Sequence, residues 1–434
     1  MPLNEGKEEI VRAPEEVTGQ PRRLVVGGLM LRQTFAALRH RNFRLFFGGQ
    51  LVSLIGTWMQ NTAQGWLVWE LTGSEMLLGM VVAVNSLPML LFSTWGGSIA
   101  DQHSKRKIIL CTQTAMMILA FTFAGLVKSG HITTWEIMVI AALRGLAVAF
   151  DMPARQSFMV EMTSREDLMN AISLNSSLVN AARVIGPSIA GILIARVGMA
   201  MCFFVDGLSY LAVIAGLWMM RLPKFVKPER PDSAMAHVME GFVYVWKHRR
   251  VKTLLILFAI VGIFGWSYSV LLPAFATDVL KMKAGGYSAL LTANGVGAFF
   301  GALTVASVGN RVSQRVLVLG GLWIFSLMLF LLAFTNNFYV ALLLLAIGGW
   351  GMLLFFSTTN TMLQLSSSDQ MRGRVMGVWA LVFGGMMPIG GLEAGTLSHW
   401  LDVRWTVGIG AVICAVAALV TWLVVRARAK EERP

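Results

Sequence analysis

The stretch Gly96-Gly-Ser-Ile-Ala-Asp-Gln-His-Ser-Lys-Arg-Lys107 is a short polar segment between two long apolar ones. It carries one acid, Asp101, and three cations, Lys105, Arg106 and Lys107. About twenty mostly apolar residues precede it and about twenty follow it, which is the length that a helix needs to cross a bilayer. The segment therefore predicts a charged turn at a membrane surface, and its glycines let the two flanking helices approach closely.

The composition of the whole chain is that of a membrane protein. Of its 434 residues 56% are hydrophobic and only 14% are charged, and the mean hydropathy is +0.66. A soluble protein of this length cannot bury so much apolar surface, whereas lipid can solvate it. We predict an all-α bundle of twelve spanning helices, because barrel strands are shorter and alternate. The spans run over 45–71, 76–96, 108–128, 133–150, 171–197, 200–221, 252–275, 286–308, 315–335, 337–358, 373–398 and 404–425.

The placement of the 36 Lys and Arg residues predicts the orientation of the bundle. With the N-terminus inside, 29 of them fall in the tails and inner loops, five in the outer loops and two within spans. This asymmetry predicts that both termini are cytoplasmic. It also explains the net charge of +13 by topology and contact with anionic lipid, which argues against nucleic acid as a partner.

A long polar segment divides the chain into two halves of six spans. Residues 222–251 contain three prolines followed by an amphipathic stretch, and we predict a cytoplasmic linker with a surface helix there. The two halves then occupy 45–221 and 252–425. A cytoplasmic tail with an amphipathic surface helix over 31–44 fills 1–44, and a second tail fills 426–434.

The two halves echo each other in sequence. A shift of 209 residues superimposes three pairs of positions at the same places in helix, loop and helix. An internal duplication of this kind is a common plan of transporters. The pairs are Asn85 with Asn294, Asp101 with Asn310, and Arg106 with Arg315.

A polar stripe runs along the first span. Its members are three or four positions apart and therefore share one face of a helix. Because amides face lipid only at a high cost, the stripe must face water or protein. We interpret it as the wall of a translocation cavity, the alternative being hydrogen bonding between helices. The stripe consists of Gln50, Ser53, Thr57, Gln60 and Gln64, and Gln60, Asn61 and Gln64 are nearest the bilayer middle.

The fourth and fifth spans each place an arginine inside the membrane, at Arg144 and Arg183. An intramembrane cation is costly and is usually paired or lines an aqueous path. We predict that both face the cavity and bind an anionic part of a ligand, with a structural ion pair or snorkelling as the alternative. Asn180 belongs to the same polar stripe as Arg183.

The second half supplies its own candidates for the cavity. Trp266, Tyr268 and Asn294 offer stacking and hydrogen bonds, with an aromatic belt or ordinary packing as the alternative. Only two carboxylates lie well within spans, Asp206 and Glu393. A carboxyl group in a low dielectric can take up and release a proton near neutral pH, so either is a candidate for proton coupling. The alternative is a structural cap or pair.

The sequence lacks the patterns of known catalytic centres. It has no Gly-x4-Gly-Lys-Ser/Thr loop, no nucleophile elbow and no zinc pattern, and its six histidines are scattered. Its three cysteines lie far apart in apolar runs and predict neither a disulfide nor a metal site. We therefore expect no enzymatic activity, no metal and no cofactor.

The spacing of the opening stretch resembles the most widespread motif of the major facilitator superfamily. The residues that match are Gly97, Asp101, Lys105 and Arg106, while Gln102 stands where Arg is usual and Ser104 where Gly is usual. The resemblance implies that Asp101 is part of a conformational latch against the start of the eleventh span, where a helix dipole favours an anion. The alternative is a loop acid that pairs locally.

Four further stretches resemble the branch that contains enterobactin exporters and macrolide-type drug efflux proteins. They are Phe150-Asp-Met-Pro-Ala-Arg-Gln156, Glu166-Asp-Leu-Met-Asn-Ala171, Gly186-Pro-Ser-Ile-Ala-Gly191 and Met371-Arg-Gly-Arg-Val-Met-Gly377. Within the third, Gly186, Pro187 and Gly191 are similar to a motif associated with proton-driven antiporters, with Ala190 where a glycine is usual. The resemblance therefore favours export over import.

These observations lead to one functional expectation with two alternatives. We expect a monomeric secondary active exporter in the plasma membrane, which is the bacterial inner membrane if the cell is Gram-negative. It would exchange protons or another ion for small amphipathic molecules such as siderophores or drugs by alternating access. The alternatives are a transporter of lysophospholipid or other lipid, and a non-transporting receptor or partner subunit.

Overall fold

A computed structural model describes residues 35–164, 166–222, 234–309 and 311–431, and the side chains of these residues except 234–238, 369 and 427–431. Thirteen helices make up nearly all of this part of the chain, and it contains no strand. They are α1 Arg41–Thr72, α2 Glu75–Gln102, α3 Lys105–Ser129, α4 Thr134–Met162, α5 Leu168–Arg196, α6 Met199–Met219, α7 Ala234–Lys247, α8 Arg249–Val279, α9 Ala284–Val308, α10 Gln314–Phe334, α11 Phe338–Leu365, α12 Asp369–Leu401 and α13 Val403–Glu431.

The predicted all-α membrane fold is confirmed. Eleven of the described helices are long and apolar enough to cross a bilayer. The helix α1 is as long as the others, but its buried glutamines, Gln50, Gln60 and Gln64, leave it too polar to be recognised by hydropathy alone. It completes the twelve spans, because it packs inside the bundle against α5 and α6. The remaining helix, α7, is the short one between the two sets of six.

The surface helix predicted for 31–44 is wrong in the part of that range that the structure describes. The first span already begins at Arg41, and only one short 3-10 turn, Ala36–Arg39, precedes it. This turn lies against the start of α5, where His40 and Arg39 both hydrogen-bond to Asp167. The hydrogen bond from His40, with that from Arg39, holds the pKa of the Asp167 carboxyl below its usual value although desolvation opposes the shift. The tail before residue 35 lies outside the described residues.

The other predicted surface helix is present as α7. Its side chains from Met239 onward include Phe242 and Trp246, which are exposed, and Val245, which is buried. Glu240 forms an ion pair with Arg374 of α12 at 2.5 Å, which fastens α7 to the bundle. The proline-rich part of the linker lies outside the described residues.

The long helix α8 is not regular. A π-helical turn, Val261–Gly265, and a turn at Trp266 and Ser267 interrupt it, and a second π-helical turn, Phe275–Val279, ends it. Interruptions of this kind in α-helices often occur at functional sites. The interruption at residues 261–267 places Trp266 at the centre of the bundle.

The duplication predicted from the sequence has a structural counterpart. A Cβ on Gly145 of α4 would lie 2.0 Å from the carbonyl oxygen of Asn85 in α2. A Cβ on Gly349 of α11 would lie 2.3 Å from the carbonyl oxygen of Asn294 in α9. The paired asparagines therefore mark the same close helix crossing in each half. Asn310, the counterpart of Asp101, lies outside the described residues.

We call the end of the bundle where α1 begins and α13 ends the basic end, and the opposite end the far end. The two halves meet mainly through α2 with α12 and α5 with α9. A Cβ on Gly79 would lie 2.1 Å from the carbonyl oxygen of Gly391, and one on Gly191 would lie 2.7 Å from Cβ of Ser288. All four residues lie in the half of the bundle nearest the far end, so that is where the two halves are closest.

Close helix crossings of this kind predict a large effect for one methyl group. A Cβ on Gly297 of α9 would lie 1.7 Å from the carbonyl oxygen of Ala346, whereas Gly320 of α10 has open space around it. We expect Gly297→Ala to destabilise the protein by about 1–3 kcal/mol, because the backbone of α11 must shift. Thermal unfolding in detergent measures the effect. The matched variant Gly320→Ala should unfold at an unchanged or slightly higher temperature, and equal midpoints for the two variants would contradict the packing argument.

Candidate translocation cavity

A cavity of about 510 Å³ lies at the centre of the bundle, between the two sets of six helices. Helices α1, α2, α4 and α5 form one wall, and α8, α9, α11 and α12 form the other. Its lining is mostly apolar, with a few polar and charged groups. Among the predicted cavity residues, those that line it are Asn61, Gln64, Arg144, Arg183, Trp266, Tyr268 and Asn294.

Two of the predicted cavity residues do not line it. Gln60 is buried behind the wall, 2% exposed, and contacts residues that do reach the cavity. The amide of Asn180 donates to the carbonyl oxygen of Ser176 one turn earlier in α5, at 2.9 Å. The stripe of α5 therefore reaches the cavity through Arg183 and Pro187 and not through Asn180.

Arg183 lies between two tryptophans that belong to opposite walls. Its guanidinium carbon is 5.3 Å from the ring centroid of Trp58 in α1 and 5.1 Å from that of Trp266 in α8. Such contacts hold a cation electrostatically without neutralising it. Within the described residues no carboxylate lies within ion-pair distance of Arg183. The cavity therefore contains a positioned cation with its charge uncompensated.

Trp58 was not among the residues singled out from the sequence. It lies two positions before Gln60, off the polar stripe, and a tryptophan in a spanning helix is more often a packing residue. Trp58 reaches Arg183 only because α1 and α5 pack closely at Gly186. A Cβ on Gly186 would lie 2.5 Å from Cβ of Trp58. No signal in the sequence connects these two residues.

A second polar network joins Arg144 to a buried carboxylate. Arg144 donates through Nη1 to Oδ1 of Asn61 at 2.7 Å. When the amide of Gln60 is oriented by its charged neighbours, its oxygen accepts from the same Nη1 at 3.2 Å and its nitrogen donates to Oδ2 of Asp206. Asp206, in α6, is fully buried. Gln60 is thus a bridge between a cation at the cavity wall and an acid behind it.

The fit around Asp206 is tight. A Cβ on Gly56 of α1 would lie 2.6 Å from Oδ1 of Asp206 and 2.5 Å from Oγ of Ser209. Ser209 contacts the same carboxyl oxygen at 3.4 Å. The close passage of α1 and α6 therefore excludes bulk water from this face of the carboxyl group.

The opposite wall carries a shorter polar chain. Asn294 of α9 donates to the hydroxyl of Tyr268 at 2.7 Å and, more weakly, to the carbonyl oxygen of Leu345 at 3.4 Å. The other candidate carboxylate, Glu393 of α12, does not line the cavity itself but lies beside Ser267, which does. Its Oε2 is buried without a hydrogen-bond partner in the part of the chain that the structure describes.

Aromatic and hydroxyl contacts close the far end of the cavity. Trp66 of α1 stacks on Tyr287 of α9, with ring centroids 6.0 Å apart. Trp69 donates from its indole nitrogen to Thr277 at 2.8 Å, which joins α1 to α8. The antiporter-like motif contributes to the same region, because Pro187 lines the cavity and Gly191 packs against Ser288.

At the basic end the acid of the predicted latch, Asp101, does not reach the described part of α12. Asp101 is exposed, and no hydrogen bond or ion pair joins it to the described part of α12. Gly97 has open space around it. Lys105 forms an ion pair with Glu161 at 2.7 Å, and Arg106 donates to the carbonyl oxygen of Trp218 at 3.1 Å. In this conformation the motif therefore fastens α3 to α4 and α6.

A buried network at the basic end lay outside the sequence predictions. Asp151 of α4 accepts from Thr112 at 2.7 Å and from Gln113 at 3.1 Å, and it pairs with Arg155 one turn later. Arg155 also contacts Gln50, the first member of the α1 stripe. This part of the stripe therefore bonds to neighbouring helices. The i, i+4 spacing of Asp151 and Arg155 is the signal that identifies the pair.

Twelve spans, two related halves and a central cavity with charged walls define a multi-pass membrane transporter of the major facilitator type. The chain belongs to the family described as "Transmembrane secretion effector", whose sequence profile matches residues 32–433.

Individual relatives agree with this assignment. The chain is 24% identical over 354 residues to the Staphyloferrin A transporter of Staphylococcus aureus, which covers 80% of this chain and 87% of that protein. It is 26% identical over 344 residues to the Multidrug efflux pump Tap of Mycolicibacterium fortuitum, covering 77% and 83%. The crystal structure of a bacterial homologue of the human lysosomal transporter Spinster superimposes with a TM-score of 0.70 at 15% identity, covering 89% of this chain and 97% of that one. The resemblance to siderophore and drug transporters of this superfamily is thereby confirmed.

Proposed function

We propose that this protein is a proton-driven exporter of small amphipathic molecules that carry an anionic or catechol-like group, such as siderophores or drugs. The observation that carries the proposal is the pairing of an uncompensated cation in the cavity, Arg183, with a second arginine bridged to a buried carboxylate. The names of the relatives, one a siderophore transporter and one a multidrug pump, support the substrate class.

The position of the closed end agrees with export. In this proposal the protein is a monomer in the plasma membrane with both termini in the cytoplasm, so the basic end faces the cytoplasm. The contacts of Trp66 with Tyr287 and of Trp69 with Thr277 then seal the cavity from outside. Asp101 is not bonded to the described part of α12 in this conformation. In this proposal substrate and membrane lipid enter the cavity from the inner side, where an exporter binds its substrate.

Substrate binding is assigned to the aromatic and cationic groups of the cavity. A planar anionic ring fits beside Trp58 and Trp266, with its charge against Arg183. Asn61, Gln64, Tyr268 and Asn294 supply hydrogen bonds to its polar atoms. The largely apolar remainder of the lining accepts the rest of an amphipathic molecule.

Proton coupling is assigned to the bridge through Gln60. An ionised Asp206 accepts from the Gln60 amide nitrogen, which directs the amide oxygen to Arg144 and fixes that arginine beside Asn61. A protonated Asp206 is a hydrogen-bond donor, and it reverses the amide so that its N–H groups face Arg144. Arg144 then loses one of its two acceptors and is held by Asn61 alone. Because Arg144 lines the same cavity and, when held in place, attracts the anionic substrate, proton and substrate bind in alternation, which is the requirement for antiport.

The proposal is tested in inside-out membrane vesicles with a catechol carboxylate, 2,3-dihydroxybenzoate, as the probe. We expect the probe to accumulate only when the vesicles are energised and to leak out when a protonophore collapses the gradient. Accumulation that persists without a gradient would exclude proton antiport. Transport of a lysophospholipid from the leaflet, with no uptake of any probe from water, would instead favour the lipid transporter.

A further inference from the structure

A second groove lies on the outer surface of the bundle, away from the central cavity. It has a volume of about 500 Å³ and is formed by α8 and α13 alone, with no lining residue in common with the cavity. On α8 it begins at Thr253, one turn after the helix starts, and it extends to Val424 near the end of α13. Both positions place the groove in the half of the membrane next to the basic end.

The lining of the groove suits a hydrocarbon chain. Apart from Thr253 and Thr421, all of its residues are aliphatic. Several of them are about half exposed, including Ile256 at 50% and Val416 at 52%. The trough between the two helices is aliphatic and partly exposed, so a single acyl chain can fill it.

Cations lie at the end of the groove that is next to the membrane surface. Arg249, Arg250 and Lys252 occupy the first turn of α8, immediately before Thr253. Arg426 follows Val424 by two positions on α13. The stretches that line the groove supply no neutralising group, since residues 249–277 and 403–430 contain no acid and the acids of the two helices, Asp278 and Glu431, lie beyond them.

Two of these cations are held by aromatic rings at the level of the interface. Lys252 Nζ is 4.9 Å from the ring centroid of Trp246, and the Arg426 guanidinium is 5.1 Å from that of Trp422. Both tryptophans are exposed, Trp246 at 72%. Tryptophans at this depth anchor helices at the headgroup level, and the cations that they hold keep their charge.

We propose that this groove is a specific site for an anionic phospholipid, with one acyl chain between α8 and α13 and the headgroup phosphate against Arg250, Lys252 and Arg426. We call these three cations the rim of the groove. Their positive charge favours an anionic lipid over a second copy of this chain, because the same surface of a second copy would bring like charges together. The inference is independent of the molecule that the protein transports.

The site is tested by native mass spectrometry of the full-length protein released from nanodiscs that contain equal parts phosphatidylglycerol and phosphatidylcholine. We expect one phosphatidylglycerol to remain bound. In the triple variant Arg250→Gln, Lys252→Gln, Arg426→Gln its affinity should fall roughly fivefold for each cation removed. A second variant, Val416→Trp, should displace the lipid by filling the trough without touching the rim.

The matched control removes three cations from the far end, Lys128→Gln, Arg196→Gln and Lys283→Gln, and should retain the lipid fully. Equal retention of both phospholipids by the wild-type protein would overturn the proposal, as would unchanged retention by the triple variant of the rim. A dimer that is cross-linked efficiently in native membranes through a cysteine at Val420 would overturn it as well, because a second copy would then occupy the groove.

Discussion

Replacement of Arg183 by leucine is expected to weaken binding of 2,3-dihydroxybenzoate by roughly 10- to 100-fold, the effect of losing a hydrogen bond to a charged group. The reason is the isolation of this cation: it is held by Trp58 and Trp266 and has no carboxylate partner among the described residues. An anion that enters the cavity meets a charge whose position is already fixed. Equilibrium dialysis with the purified protein in detergent measures the loss directly.

Two further variants separate binding from packing. Arg183→Lys keeps the charge but replaces a planar group by a point charge that stacks poorly between two indole rings, so we expect an intermediate affinity. Arg196→Leu removes an arginine from the far end of the same helix and should bind the probe like the wild-type protein. An Arg183→Leu protein that is folded and binds normally would show that the ligand lies elsewhere.

The sequence predicted cavity residues best where all the residues of a pattern lie on one helix. The α1 stripe and the two intramembrane arginines were visible because positions three or four apart share a face, and an unpaired charge in lipid is rare. The structure places Asn61, Gln64, Arg144 and Arg183 at the cavity. The same reasoning failed for Asn180, because periodicity identifies a face and not the direction in which an amide turns.

Relations between helices were beyond the reach of the sequence. The neighbours of Gln60, which are Asp206 on α6 and Arg144 on α4, lie far away in the chain, and only the close packing of α1 brings the three together. For the same reason Asp206 and Glu393 were equivalent candidates until their surroundings were known. Asp206 is joined through Gln60 to Arg144, a cation of the cavity wall, whereas Glu393 lies beside Ser267, a lining residue without charge.

Replacement of Asp206 by asparagine is expected to abolish accumulation of the probe against a gradient while exchange of probe across the membrane continues. Asparagine is neutral at every pH, and its amide can both donate to Gln60 and accept from it, so no proton selects between the two orientations of Gln60. The variant therefore lacks a bridge whose state follows the proton. Energised uptake and probe–probe exchange, measured in the same inside-out vesicles, distinguish loss of coupling from loss of folding.

The pH dependence of binding gives the sharper test, because the bridge predicts its sign. Protonation of Asp206 weakens the hold on Arg144, so the wild-type protein should bind 2,3-dihydroxybenzoate more weakly as the pH falls, and Asp206→Asn should lose this pH dependence. Glu393→Gln is the matched control and should keep both the pH dependence and the energised uptake. If Glu393→Gln loses them and Asp206→Asn does not, the coupling site is on α12. Gln60→Leu should behave like Asp206→Asn, since an apolar side chain breaks the bridge but leaves both charged ends in place.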